Sequence, residues 1–410
     1  MPEQMRKRRV RYRALQIGFA VGCLAYGLYI ADFRAARIAS FGLALYALPL
    51  LFQLSKASLV RAYALWFGVF LVAQGVMAPI LLGDTANLHH HLPNLTRIVD
   101  AKVTEFYGSS GEQRITTDEL GFRASPRVNY PKGVDLRIFA IGGSTTEEFN
   151  INDEETWTHR VQTALSSELS RQVEVINAGN SGAMSQQHVA TLKYIQSLHP
   201  NIVLFLLGGN DWLYDIQREF GSDDPRPRMY FPDTPLGRLA RTYYYRVFGP
   251  REGTTVRSDT IPQGGSLRRE RKISWLPDNA SGRYLANLAR IGSICRDTNL
   301  TCVFITQPNG YQPDATEELK DLFWMSPRNA SYSLTFESLV HVAQTYNRAL
   351  ADFAAKNGFA LCDLATTMDA TRENFTDELH FTFKGSERVA QAVTECLRPL
   401  VVKNSSGQAR

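Results

Sequence analysis

Leu136-Arg137-Ile138-Phe139-Ala140-Ile141-Gly142-Gly143-Ser144-Thr145 (LRIFAIGGST) is the stretch from which the fold can be read. A short apolar run rich in strand formers stops at two glycines, and a serine follows at the bend. Similar runs recur at 173–177 (VEVIN), 202–207 (IVLFLL), 301–306 (TCVFIT) and 359–364 (FALCDL). Longer amphipathic stretches between or after them predict helices at 155–170, 185–198, 282–298, 336–357 and 384–397. Strands that alternate with helices in this way predict an α/β domain built of βαβ units around a parallel sheet.

In such a sheet the loops at the carboxyl ends of the strands converge on one edge, where ligands bind. Four loops here carry reactive residues. The first presents Ser144 after Gly142-Gly143. The second reads Asn177-Ala178-Gly179-Asn180-Ser181-Gly182, and a glycine turns its backbone N–H toward a developing oxyanion without steric cost. The third reads Gly208-Gly209-Asn210-Asp211, whose asparagine amide suits a further oxyanion donor. The fourth reads Asp377-Glu378-Leu379-His380, just before the last predicted helix. A serine hydroxyl is a poor nucleophile at neutral pH. An imidazole must take its proton, and a carboxylate must hold that imidazole in the right tautomer. Each loop alone is weak, since Gly-Gly-Ser and Gly-Asn turns and Asp-x-x-His pairs are common; their chain order gives them weight.

On these residues the sequence resembles the SGNH subgroup of GDSL-type hydrolases, over about 136–397 with the 214–279 stretch outside the likeness. The resemblance implies a three-layer α/β/α, flavodoxin-like domain. It also implies that Ser144 is the nucleophile, that Asp377 and His380 complete a triad, and that Ser144, Gly182 and Asn210 form the oxyanion hole. Gly179 competes with Gly182 for that role. The first block reads GGST where many members carry GDS, so Gly143 stands in place of an aspartate. Upstream, Thr116-Thr117-Asp118-Glu119-Leu120-Gly121-Phe122-Arg123 resembles a segment that precedes the nucleophile strand in envelope-associated members, and it is expected to form an extra strand or a cover.

The first 134 residues have a different character. Arg6, Lys7, Arg8, Arg9, Arg11 and Arg13 form a basic tail (1–13), which accounts for the net charge of +5 and removes the case for a nucleic-acid surface. Apolar stretches at 14–31, 38–54 and 59–82 each approach the ~20 residues that span a bilayer. The tail predicts a cytoplasmic N-terminus, so everything after the third span is expected outside, in a bacterial periplasm. A linker or cover is expected at 83–134, the hydrolase domain at 135–400, a proline- and arginine-rich insertion at 214–279, and a disordered tail at 401–410.

Cys295, Cys302, Cys362 and Cys396 fall in the exported part and allow three pairings, and the short Cys295–Cys302 separation fits a local loop. The run His89-His90-His91 reads as a juxtamembrane loop, and neither metal nor cofactor is expected. The predicted activity is ester hydrolysis through an acyl-enzyme, deacylating or deacetylating an envelope polysaccharide or lipid. An O-acyltransferase with the same triad, or a non-catalytic glycan-binding scaffold, are the other readings.

Overall fold

The computed structural model describes residues 91, 94–106, 108, 110–123, 134–220, 254–258, 264–327 and 330–407. The chain divides into two compact units, Met1–Ala86 with Arg228–Phe248, and Asn87–Pro227 with Gly249–Arg410. The expected basic tail and membrane spans, His89, His90 and residues 221–253 lie outside the described residues. Among the described residues no helix is long and apolar enough to cross a membrane.

The second unit opens with β1 (Leu95–Val99), α1 (Ala101–Phe106) and β2 (Gln113–Thr116). Then come β3 (Leu136–Gly142), α2 (Ser144–Glu147), α3 (Trp157–Leu169), β4 (Val173–Gly179), α4 (Ser185–Ile195), β5 (Ile202–Leu206) and α5 (Gly209–Phe220). After β6 (Thr254–Ser258) and β7 (Arg271–Ile273) follow α6 (Gly282–Asp297), β8 (Thr301–Ile305), α7 (Glu317–Lys320) and β9 (Tyr332–Leu334). The chain ends in α8 (Phe336–Asn357), β10 (Ala360–Cys362) and α9 (Phe383–Gly407).

The five expected strands form one sheet in the order β10-β8-β5-β3-β4, and every pairing in it is parallel. Helix α3 packs on α9 against one face; α4, α6, α8 and α5 pack together on the other. This is the α/β/α arrangement of right-handed crossovers. Strands β3, β4 and β5 are buried along their whole length, which is why they read as mainly apolar runs; the exceptions are Asn177 and the buried pair Arg137–Glu174 at 2.9 Å. Phe205 and Phe304 stack between neighbouring strands with centroids 5.2 Å apart, and both are fully buried. Each such side chain contributes about 1.5–3 kcal/mol by leaving water.

Helix boundaries follow capping chemistry. Thr156, Ser281 and Thr335 each accept a backbone N–H at the start of α3, α6 and α8, and Gly358 closes α8 at φ +69°. The cysteines pair as Cys295–Cys302, joining α6 to β8, and Cys362–Cys396, joining β10 to α9.

Three further stretches bear on the expected boundaries. The tail expected to be disordered from 401 continues α9 to Gly407, because Val401 is buried against the domain. The stretch 214–279 is more than an irregular excursion: it completes α5 and later supplies β6 and β7. β6 pairs in parallel with β1, and β7 with β9. The segment 117–123 folds back on itself, and Arg123 then pairs antiparallel with Asn177 at the β4 edge. The segment expected to form an extra strand or a cover thus adds a bridge at the sheet edge.

Candidate active site

In this strand order the chain leaves β3 toward one edge and β5 toward the other, so their carboxyl ends border the crevice where ligands bind in open α/β sheets. Ser144 follows β3 and Asn210 follows β5. Gly142 and Gly143 permit the bend. A Cβ on Gly142 would meet Thr146 Oγ1 at 2.0 Å and the Leu206 carbonyl at 2.9 Å. Ser144 then opens the single-turn helix α2.

His380 spans from Ser144 to Asp377. Its Nε2 lies 2.8 Å from Ser144 Oγ and its Nδ1 lies 2.7 Å from Asp377 Oδ2. With Nδ1–H donated to the carboxylate, Nε2 is the acceptor for the serine hydroxyl. Asp377 Oδ1 accepts the N–H groups of Leu379 and His380, each at 2.8 Å, and Oδ2 also accepts the indole N–H of Trp324 at 2.8 Å. Burial pushes Asp377 up, but the His380 imidazole and those N–H groups outweigh it and hold the carboxyl below its ordinary value. Burial also opposes a charged His380, yet the Asp377 carboxylate prevails and raises the imidazole above its usual value.

Asn210 sits in the first turn of α5, not in a loop. Its Nδ2 donates to the Ala183 carbonyl at 2.9 Å and faces Gly143. The two glycines of the second loop differ. Gly179 N–H is donated to Asn177 Oδ1 at 3.0 Å, and a Cβ there would stand 2.2 Å from the Glu147 nitrogen. Gly182 has φ +77°, open space around its Cα, and among the described residues no hydrogen bond donated by its N–H.

The turn after Ser144 is braced by residues that sequence reasoning did not assign. Asn177 Nδ2 donates to the Thr146 carbonyl at 2.6 Å. The buried Arg123 guanidinium donates to the carbonyls of Glu147, Glu148 and Ile151 and, at 3.0 Å, to Asp153 Oδ1. These side chains satisfy carbonyls that a one-turn helix cannot satisfy itself. Arg97 on β1 donates to the Phe149 carbonyl and lies 5.7 Å from the Phe149 ring, which meets His380 edge-on with centroids 5.3 Å apart.

Glu147 Oε2 accepts both Ser181 N–H and Ser181 Oγ–H, tying α2 to the residue before Gly182. Burial would raise Glu147, but His91, Arg97 and Ser181 together hold it below its ordinary value. His91, from the histidine run, places Nε2 3.5 Å from Glu147 and 3.3 Å from the Gly179 carbonyl. The TTDELGFR motif was the sequence signal for Arg123; nothing in the sequence marked Trp324, Arg97 or Glu147.

Two recesses flank Ser144. One is lined by Gly143, Ala183, His188, Asn210, Gln307 and Leu379, the other by Glu148, Phe149, Ile151, His380 and Phe381.

The sequence profile of the GDSL-like lipase/acylhydrolase family matches residues 140–388, more than half of the chain. The chain belongs to that family. This GDSL-like hydrolase is a serine ester hydrolase with a parallel-sheet SGNH domain. No curated protein matches it. Among solved structures it is similar to the acetyl xylan esterase AlAXEase, at 15% identity and TM-score 0.38 over 64% of this chain and 100% of that one. It is also similar to the psychrotrophic esterase EstA from Pseudoalteromonas sp., at 13% identity and TM-score 0.37 over 65% and 99% of the two chains. The lipase/acylhydrolase from Enterococcus faecalis is similar at 15% identity and TM-score 0.36, over 64% and 96%.

Proposed function

We propose that this GDSL-like hydrolase cleaves short-chain esters outside the cytoplasm, with Ser144 as nucleophile, His380 as general base and acid, and Asp377 as the carboxylate that orients it. The observation that carries the reading is the unbroken hydrogen-bond chain from Ser144 Oγ through His380 to Asp377. A binding scaffold would have no use for a buried serine, imidazole and carboxylate aligned in this way.

In the first half-reaction His380 Nε2 takes the Ser144 proton as Oγ attacks the ester carbonyl. The N–H groups of Ser144 and Gly182 and the Asn210 amide receive the oxyanion; support for Gly182 over Gly179 is that the Gly179 N–H is already committed. His380 then protonates the leaving alcohol, and an acyl-serine remains. Water, deprotonated by the same imidazole, attacks the acyl carbon and frees the carboxylic acid and Ser144.

Support for a short acyl group comes from the narrowness of the two recesses beside Ser144, each with a cavity volume of about 10 Å³. Sites for larger ligands run to roughly 300–1,000 Å³. An acetyl group on an envelope glycan or lipid fits this scale. Two disulfides support an oxidising compartment, and the apolar stretches at 14–31, 38–54 and 59–82 support a membrane anchor with a cytoplasmic N-terminus.

The test is turnover of p-nitrophenyl acetate and longer p-nitrophenyl esters by the full-length protein and its Ser144→Ala variant. Acetate should be the best acyl group and the variant should be inert. Equal activity of the variant would sink the nucleophile assignment.

A further inference from the structure

The residues on the acid side of the site are gripped by three consecutive residues from a distant loop. Trp324 N–H donates to Glu378 Oε2 at 3.1 Å, Met325 N–H donates to Glu378 Oε1, and Ser326 Oγ lies 3.2 Å from that same Oε1. Tyr311 adds its hydroxyl, 3.2 Å from Glu378 Oε1 and 2.9 Å from Ser326 Oγ. The neighbouring carboxylate, Asp377, receives the Trp324 indole N–H on Oδ2 at 2.8 Å. One short segment therefore holds two adjacent carboxyl groups, Glu378 by its backbone and a hydroxyl, and Asp377 by a side chain.

The choice of oxygen matters. Oδ2 of Asp377 is the atom that also accepts His380 Nδ1–H, whereas Oδ1 takes the two backbone N–H groups. The indole therefore competes with the imidazole for the same lone-pair density, and it fixes the carboxylate plane along the line to His380. Hydrogen bonds to charged groups are stronger than neutral ones, so this contact bears directly on how strongly Asp377 pulls on the His380 proton.

We propose that Trp324 is a positioning residue of the hydrolase: its indole N–H orients Asp377 toward His380 and moderates the basicity of His380, while the Glu378 grip keeps Trp324 in place. The proposal rests on the Ser144, His380 and Asp377 roles proposed above. The ionisable groups that face this array are Asp377 and Glu378 on its own loop, Glu147 from α2, and Tyr311 from the loop after β8. A side-chain change at Trp324 leaves all four groups in the chain and removes only the indole N–H from Asp377. That residue is half-buried at the core's margin, so a phenyl ring can fill most of the space left by the indole.

The experiment compares full-length wild type with Trp324→Phe, Asp377→Asn and the double variant, measuring kcat, KM and the pH dependence of kcat/KM with p-nitrophenyl acetate. Trp324→Phe should lower kcat about 10-fold, as expected for one lost hydrogen bond to a charged group, and leave KM unchanged. Its acidic limb should move to higher pH, because the unshared Asp377 charge then acts fully on His380 while the Oδ1 bonds still hold the carboxylate. In the Asp377→Asn background the same change should have no further effect on kcat, since the acceptor it acts through has already been altered.

Unchanged kcat and an unmoved limb would overturn the positioning role, as would fully additive losses in the double variant. Trp324→His, which keeps a ring N–H, serves as the second variant if Trp324→Phe does not fold, and it should retain more activity than Trp324→Leu. Equal losses in those two would also overturn the proposal. Failure of the underlying site assignment gives a different signature: a fluorophosphonate probe would label the Ser144→Ala variant as well as the wild type.

Discussion

A Cβ on Gly143 would stand 2.5 Å from Nδ2 of Asn210. The position before Ser144 and the side chain of the third loop thus occupy one space, and a glycine there leaves room for the amide. Gly143→Ala should displace Asn210 from the Ala183 carbonyl and act like Asn210→Ala, which is expected to lower kcat by about 10²–10³-fold. Because both changes remove the same donor, the double variant should be little worse than either single one. Steady-state kinetics with p-nitrophenyl acetate check this, and a Gly143→Ala enzyme with wild-type kcat would refute the shared-space account.

The two glycines of the second loop should respond in opposite ways. Gly179→Ala forces a Cβ to within 2.2 Å of the Glu147 nitrogen, so α2 must move off β4 and stability should fall by at least a few kcal/mol. Gly182→Ala meets no atom within 4 Å and carries only the cost of a positive φ, roughly 1 kcal/mol. Its effect should appear in kcat if its N–H serves the oxyanion. Thermal unfolding together with kinetics separates the two, and a reversed pattern would return Gly179 to candidacy.

His380 is raised above an imidazole's ordinary value of 6.5, with the Asp377 carboxylate prevailing over burial. Catalysis needs the neutral imidazole, so kcat/KM should climb with pH through a midpoint above 6.5, the imidazole's ordinary value. Asp377→Asn removes the charge, leaves burial unopposed and should move the midpoint down while lowering kcat by about 10⁴-fold. A wild-type midpoint below 6.5 would contradict the electrostatics described for the site.

Glu148 is buried and pushed by desolvation up to about 7 from 4.5. The folded state therefore holds its proton more tightly than the unfolded chain does. Its stabilising contribution is complete below pH 4.5 and is lost as pH rises to about 7, a difference of at most roughly 3 kcal/mol. Gln keeps an oxygen for the Trp157 N–H, which Glu148 accepts at 2.7 Å. Glu148→Gln should raise Tm relative to wild type at pH 8 and much less at pH 5. An equal gain at both pH values would show that ionisation is not the cause.

The sheet was legible because β3, β4 and β5 are buried along their length and β8 nearly so, and such burial writes itself as short, mainly apolar runs. Ser144, Asp377 and His380 could be singled out together because nucleophile and base chemistry admits few residue types, and the fold supplies the short distances between them. Asn210 was located, but its helix was not: Gly208-Gly209 reads as a turn, while Asp211 and Trp212 continue into α5 through contacts that are distant in sequence. Asp211 accepts Ser185 and Arg283, and Asp215 accepts Arg283 and Tyr346. The short Cys295–Cys302 separation pointed to that local disulfide, but spacing alone left the other pairings open, because it does not report which helix and strand lie side by side. Trp324 was invisible for a similar reason, since an isolated tryptophan in an irregular segment has no periodicity to betray its partner.

Arg123 has a consequence for where this enzyme begins as a genetic module. The family profile starts at residue 140, inside β3, yet the carbonyls of Glu147, Glu148 and Ile151 are capped by a guanidinium encoded upstream of that point. A recombination event, or an expression plasmid, that respected the profile's edge would deliver Ser144 without the residue that closes its turn; the Glu147 and Ile151 carbonyls would need other donors, and Glu148 would keep only the Ile151 N–H at 3.0 Å. The inheritable unit therefore extends back through Arg97 on β1. Any relative that gained this domain by transfer should carry the preceding strand and its arginines along with it, or show a substitute cation at the same three carbonyls.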